Sequence, residues 1–171
     1  MVFAREILWL LFRCQGALLV LTVQMYAASI LLVTDTWAPS INGVVTSLQA
    51  LTSALEARGH SVDVVHPGLF STWSFPFLPE VAFIKKSSAV RALLKEKKTD
   101  AVYIAVEGPL GFLARQYFVQ KGIPFISSIH TNFPEYVAAR FGMGYGLTDW
   151  YMRWFHSAAR KTLVNTATQQ S

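Results

Sequence analysis

The chain has 171 residues, of which 53% are hydrophobic and 15% charged, and its formal net charge is +5. That length with so much apolar content describes one packed domain and excludes an intrinsically disordered chain. The single cysteine, Cys14, excludes an internal disulfide and a cysteine-based zinc site, and is compatible with a reducing compartment.

The chain opens with an apolar run from Ile7 to Ala28, close to the ~20 residues a membrane helix needs. Three readings compete for it. A transmembrane or signal-anchor helix must accommodate Arg13, at about 2.5–3.5 kcal/mol if central, although a residue near the end of the run snorkels. A cleavable signal peptide fits less well, because Arg13 interrupts the apolar region and a cut near Ala27 or Ala28 would abut the first strand. The reading preferred here is that residues 1–24 are not native structure and that the domain starts at Met25. The expected domain map is then an apolar extension over 1–28 (membrane helix or non-native start), one domain over 29–166, and a truncated linker over 167–171.

Ser29–Thr34, with its continuous apolar run, reads as a buried parallel strand. It ends in the polar turn Thr34-Asp35-Thr36-Trp37-Ala38-Pro39-Ser40-Ile41, and a helix opens at Asn42-Gly43 and closes at Gly59. Strand, tight loop and helix together aim unpaired N–H groups at the space above the sheet edge, where a phosphate or sugar diphosphate is the usual occupant. Val44, Leu48, Leu51 and Leu55 form the expected inner face of that helix. Gly59 is placed for a left-handed exit. Ser61–His66 is the next strand, stopped by Pro67-Gly68.

Residues 69–79 read as a loop rich in aromatics and proline, followed by a short strand at Val81–Ile84. A helix is predicted over Ser88–Lys97 with Val90, Leu93 and Leu94 inward. Around it, Lys85, Lys86, Arg91, Lys95, Lys97 and Lys98 face one acid, Glu96. They form either the solvated face of a surface helix or a contact for an anionic membrane surface, worth about 1 kcal/mol per basic residue. Nucleic acid is disfavoured, since no reading motif accompanies the charge.

Ala101–Ala105 is a further strand, followed by Glu107-Gly108-Pro109-Leu110-Gly111 and a helix to about Gln120. Gly122-Ile123-Pro124 turns into strand Phe125–Ile129. His130-Thr131-Asn132-Phe133-Pro134-Glu135-Tyr136 leads into a helical stretch to Arg140. A helix from about Leu147 to Arg160 and a strand at Leu163–Asn165 complete the domain. The alternation predicts an α/β fold: a Rossmann-like parallel sheet with helices on both faces.

In such sheets ligands bind beyond the carboxyl ends of the strands. Those ends are Thr34 to Gly43, His66, Glu107 to Gly111, and His130 to Tyr136, which are also the polar and glycine-rich segments. Asn42 is either a plain helix N-cap or part of a ligand loop, and Gly43 either suits a tight turn or lets a diphosphate approach the backbone. His130 is either a hydrogen-bonded structural residue or a donor to a sugar hydroxyl. Glu107 either accepts from substrate hydroxyls or partners the following helix N-terminus. Asp35 is assigned to an Asx turn within its own loop. Tyr136 and Arg140, four apart, either line a cleft or lie on the surface. Trp150, Tyr151, Trp154 and Phe155 are read as core or interface packing, and His156, with Arg153 and Arg160, as the polar side of that helix. No metal-ligand spacing, dinucleotide fingerprint, Walker loop or nucleophile elbow occurs.

The runs Ile30-Leu31-Leu32-Val33-Thr34-Asp35-Thr36-Trp37-Ala38-Pro39, Asn42-Gly43-Val44-Val45 and Gly59-His60-Ser61-Val62 resemble the start of GT-B glycosyltransferases of family four. Glu107 to Gly111, His130 to Tyr136 and Arg153-Trp154-Phe155-His156 are similar to its lipid and mannose-type subgroup, which includes GDP-mannose-dependent mannosyltransferases and sulfoquinovosyl-diacylglycerol synthase. The resemblance covers about Ile30 to Thr166. It implies the N-terminal, acceptor-side half of a GT-B fold, and retaining transfer of a hexose from a UDP- or GDP-linked sugar to a lipid or glycan, with no metal or other cofactor. It implies that Gly43, with Asn42, lies against the donor diphosphate and that His130 contacts the donor sugar near the reacting carbon. Glu107 and Gly108, Tyr136 and Arg140 then border the acceptor pocket.

The family's second, donor-binding domain has no counterpart in these residues, so the expectation is a domain that binds donor weakly and is inactive alone. The rival expectation is a non-catalytic, membrane-associated binding or scaffold module. On either reading the protein is expected in the cytoplasm, peripheral to or anchored at the membrane.

Overall fold

The computed structural model describes residues 27–130 and 145–164. In chain order the elements are β1 (Ser29–Val33), α1 (Gly43–Glu56), β2 (Ser61–Val65), β3 (Thr72–Phe75), β4 (Leu78–Ile84), α2 (Ser87–Glu96), β5 (Ala101–Ile104), α3 (Pro109–Lys121), β6 (Ile126–Ile129), α4 (Tyr145–Ser157) and β7 (Lys161–Val164). A single 3-10 turn, Pro67–Leu69, follows β2. Five strands make one sheet in the order β2-β1-β5-β6-β7, and every pairing in it is parallel. The α/β, Rossmann-like expectation is met. From β1 the chain moves outward to β2, then returns to the other side of β1 for β5 and onward. The order therefore reverses between β1 and β5, and the carboxyl ends of those two strands flank the crevice that such a reversal creates.

Alternation along the strands explains why both faces are covered. On β1, Leu31 and Val33 pack with Ile104 of β5 against Val90 and Leu94 of α2, Leu110, Ala114 and Phe118 of α3, and Phe155 of α4. Leu32, one residue out of phase, joins Leu48 of α1 on the opposite face. The inner face of α1 differs from expectation. Val45 and Leu48 are buried, whereas Leu51 is 37% exposed. Val45, Leu48, Thr52 and Leu55, spaced three, four and three, form the inward stripe, with Val44 packed beside it, so Leu51 is the one residue of the predicted face that turns outward. Gly59 has φ +85°, the left-handed exit its position predicted.

The larger correction is the stretch after β2. Residues 72–84 form an antiparallel hairpin, β3–β4, outside the main sheet, where the sequence suggested a loop and one short strand. Pro76 and Phe77 make its turn. Aromatic side chains hold it: Trp73 stacks on Phe83 at 5.0 Å, Phe75 on Phe77 at 5.1 Å, and Trp73 meets Phe75 edge-on at 4.6 Å. Phe77 at the turn is 64% exposed and Trp73 43% exposed.

The helix over residues 87–96 buries Val90 and Leu94 as predicted and leaves Lys85, Lys86, Arg91, Lys95 and Lys98 exposed. Lys97 instead pairs with Asp63 on β2 at 3.1 Å. No helix among the described residues is long and apolar enough to cross a membrane. The predicted helical stretch after His130, with Tyr136 and Arg140, and most of the apolar N-terminal run lie outside the described residues.

Candidate active site

Asp35 lies two residues past the end of β1, and its carboxylate reaches across the crevice to the start of α3. Leu110 N–H donates to one oxygen at 2.7 Å and Gly111 N–H to the other at 2.9 Å. The Asx-turn expectation for Asp35 is therefore corrected: the partners are two first-turn amides of a helix 75 residues away. Gly108 and Gly111 permit this approach. A Cβ on Gly108 would sit 2.5 Å from Asp35 Cγ, and one on Gly111 would sit 2.0 Å from the carbonyl oxygen of Val106. Burial pushes the Asp35 carboxyl up to about 7; the Gly111 and Leu110 amides oppose that rise and neighbouring Glu107 adds to it. Gly108, predicted to border the acceptor, is the N-cap of α3 and a wall of the cavity described below.

Glu107 follows β5. Because Asp35 already caps α3, its side chain turns elsewhere. His156 Nε2 lies 3.1 Å from Glu107 Oε1, and His156 Nδ1 lies 2.8 Å from Ser127 Oγ on β6. Both partners of the Glu107–His156 pair are nearly buried, at 11% and 10% side-chain exposure. The sequence placed His156 on the polar side of its helix; the structure puts it inside, as a connector from β6 to the rim. Tyr151, one turn earlier on α4, donates its hydroxyl to the Glu107 backbone carbonyl at 2.7 Å.

His130 ends β6 as predicted and is half-buried. Its Nε2 lies 2.9 Å from Ser128 Oγ and 3.5 Å from the Tyr103 hydroxyl. Ser128 Oγ donates to Ala105 O at 3.2 Å and accepts from Tyr103 at 2.7 Å. Its remaining lone pair then accepts a hydrogen bond from His130 Nε2–H, which assigns that tautomer and leaves Nδ1 an acceptor. Burial lowers the His130 pKa while Glu107 opposes, so the imidazole is neutral at neutral pH. Such a ring can orient a sugar hydroxyl without bringing a charge.

Asn42 is the N-cap of α1: Val45 N–H donates to its Oδ1 at 2.9 Å, and its Nδ2 donates to Thr36 Oγ1 at 3.0 Å. The N–H groups of Gly43 and Val44 precede any intrahelical acceptor. A Cβ on Gly43 would meet nothing within 4 Å, so the protein itself does not require glycine there.

Between the hairpin, the start of α3 and the rim lies a cavity of about 670 Å³. Asp35, Glu107, Gly108 and Tyr151 stand along its rim side. Trp73, Leu78 and Phe83 of the hairpin and Phe112 and Leu113 of α3 make apolar walls. The crevice thus brings Glu107 and Gly108 together, while His130 belongs to the separate Tyr103–Ser128 network. Sequence reading missed the hairpin wall, Tyr151, and the roles of Asp35 and His156. Alternating aromatics at Trp73, Phe75 and Phe77 were the available signal for the hairpin, and a charge at the end of an apolar strand was the signal for Asp35. Among the described residues no group of three His, Cys, Asp or Glu side chains is placed to hold a metal ion.

The parallel sheet has a crevice at the strand reversal, a helix opening at Gly43 after β1 and a histidine just past β6. Residues 41–171 match the sequence profile of Glycosyltransferase Family 4, and the chain belongs to that family. It is 29% identical over 120 residues to an alpha-monoglucosyldiacylglycerol synthase of Streptococcus pneumoniae. It is 30% identical over 118 residues to one of Acholeplasma laidlawii. These matches cover 62% and 60% of this chain but only 27% and 29% of the two relatives.

Proposed function

We propose that this domain is the acceptor-side wall of a retaining glycosyltransferase that moves a hexose from a nucleotide sugar to a hydroxyl-bearing lipid. The observation that carries the reading is the apolar cavity of about 670 Å³ ending at Glu107 and Asp35. Such walls suit acyl chains, and a carboxylate at the polar end suits an acceptor hydroxyl. The names of the two relatives, both glycolipid synthases, agree with this chemistry. Glu107 is then the group that orients the acceptor hydroxyl, held by His156. His130 orients the donor sugar through its neutral ring, and the opening amides of α1 at Gly43, held by Asn42, meet the donor diphosphate. Tyr136 and Arg140 complete the acceptor border in this reading. Transition-state stabilisation draws on both walls of such a cleft. The domain therefore requires a donor-binding domain besides the residues described here.

Contact with a membrane follows from the same reading. The exposed aromatic turn of the hairpin opens beside the cavity, and Lys85 and Lys86 stand at the foot of β4. Both suit an anionic bilayer surface.

The test is transfer of label from UDP-glucose and GDP-mannose into membrane lipid extracts. It compares the chain alone with the chain joined after Thr166 to a donor domain from a related enzyme. Label in lipid from the joined protein is the expected result. A folded fusion that transfers to no lipid or glycan from either donor sinks the enzyme reading.

A further inference from the structure

Strand β6 carries two adjacent serines, Ser127 and Ser128, both buried. Adjacent residues of a strand face opposite sides of the sheet. Ser127 meets His156, and Ser128 meets His130, two residues further on and therefore on its own side. In the register of β5 and β6, Tyr103 lies opposite Ile126 and so shares that side with Ser128 and His130. Its hydroxyl reaches Ser128 Oγ at 2.7 Å.

A hydroxyl ordinarily gives or takes a hydrogen bond as its partner requires. These two have no such choice towards His130. Ser128 has one proton and gives it to the Ala105 carbonyl oxygen, which can only accept. Tyr103 has one proton and gives it to Ser128. Both oxygens therefore present lone pairs to His130 Nε2, Ser128 at 2.9 Å and Tyr103 at 3.5 Å. A proton on Nε2 suits both, and a lone pair there suits neither. Among the described residues both contacts of the ring use Nε2, so Nδ1 is the atom left for a ligand. Burial, which lowers the His130 pKa against the pull of Glu107, keeps a second proton off Nδ1 at neutral pH. A bare Nδ1 takes a hydrogen bond and cannot give one. That reverses the polarity expected of His130 as a donor to a hydroxyl.

We propose that Ser128 and Tyr103 are positioning residues for the transfer: they fix His130 as a hydrogen-bond acceptor, so the group it holds is a proton-giving hydroxyl of the donor sugar. The proposal rests on the reading above that His130 meets that sugar.

The test is the ring spectrum of the full chain labelled with nitrogen-15, read by long-range proton–nitrogen correlation at about pH 8, where a ring of lowered pKa is neutral. The spectrum of His130→Gln identifies which signals belong to this ring. The expected parent ring is a single Nε2–H form, with its nitrogens at fully protonated and fully unprotonated shifts. Ser128→Ala should move both shifts towards the average of exchanging tautomers, and Tyr103→Phe should move them less in the same direction. An Nδ1–H ring in the parent overturns the proposal, as does an unmoved pattern in both folded variants. In the donor-domain fusion, Ser128→Ala should lower kcat/KM about tenfold, as loss of roughly one oriented hydrogen bond implies. With His130 already replaced by alanine, the same change should cost less than about twofold. Equal losses in the two backgrounds overturn positioning through His130 and leave the glycosyltransferase reading standing. Unchanged kcat/KM in His130→Ala takes His130 out of the donor site and the proposal with it. A fusion without any transfer sinks the enzyme reading itself, while the spectrum still decides the polarity of the ring.

Discussion

Replacing Asp35 by asparagine removes a buried charge while keeping the shape that caps α3, and stability as a function of pH reports the difference. The folded-state pKa is raised from 3.8 to about 7, first by burial, against the opposing amides of Gly111 and Leu110. A raised pKa means that the folded protein holds a proton that the unfolded chain has released. The contribution is therefore fully present below about pH 4 and is lost progressively as pH rises to about 7. At 1.36 kcal/mol per pH unit, the portion of that window between pH 5 and 7 corresponds to about 2–3 kcal/mol. Asparagine does not titrate, so its stability curve lacks this slope. His66 and His130, whose pKa values burial lowers, contribute slopes of opposite sign, but these are common to both proteins and cancel in the difference. The assay is urea unfolding of the parent and Asp35→Asn at pH 5, 6, 7 and 8. Asparagine loses one good acceptor at the helix start, worth about 1 kcal/mol at every pH. The parent should therefore be the more stable protein at pH 5, and the gap should close or invert by pH 8. A difference that stays constant across the range would refute the account of Asp35 as a buried, partly protonated cap.

Four further outcomes follow from the same geometry. Gly111→Ala should destabilise by at least about 2–3 kcal/mol in urea unfolding, because the added carbon falls on the Val106 carbonyl, a backbone atom that cannot swing aside. Gly43→Ala should change stability by less than about 1 kcal/mol, since its Cβ meets only open space. In a donor-domain fusion it should nonetheless raise KM for the nucleotide sugar, and an unchanged KM would remove Gly43 from the donor site. His156→Phe fills the volume but leaves Glu107 and Ser127 without their shared partner; the expected loss is about 1–3 kcal/mol, measured by thermal unfolding. Lys85→Glu with Lys86→Glu should weaken sedimentation with anionic vesicles by about 1 kcal/mol per residue and leave neutral vesicles unaffected.

The fold was legible because its signals are local and repeated. Apolar runs bounded by Gly59, Pro67 and Gly122 mark strand and helix ends through backbone geometry that the neighbouring residues alone decide. The hairpin was not legible, since Pro76 and Pro79 argue for a loop until Trp73 is seen stacked on Phe83, and Phe75 edge-on to it, across the two strands. The rim segments were legible as a set, because strand ends can be read from strand boundaries. What each rim side chain does there was not. Asp35 and Leu110 lie 75 residues apart, and Glu107 and His156 lie 49 apart. An acid in a polar turn looks the same in sequence whether it bonds its own loop or a distant helix. His156 looked exposed because Arg153 and Arg160 flank it, yet helical phase carries it to the Phe155 side of α4, where the rim closes over it.

The two acids at the strand reversal hold different partners within one crevice. Neither could do the other's work. Asp35 has both oxygens committed to α3 amides, so it has little accepting capacity left for a ligand, but it fixes the first turn of α3 and thereby the Phe112 and Leu113 wall. Glu107 gives one oxygen to His156 and stands on the lining of the cavity. Exchanging the two roles is blocked by geometry, because Glu107 precedes the N-cap Gly108 and its backbone carbonyl is already held by Tyr151. A carboxylate held at one oxygen by a nearly buried imidazole is also oriented. His130, held by Ser128 and by Tyr103 of β5, is oriented by a network that among the described residues shares no hydrogen bond with the first. Separate anchoring lets Glu107 and His130 each hold its orientation independently of the other.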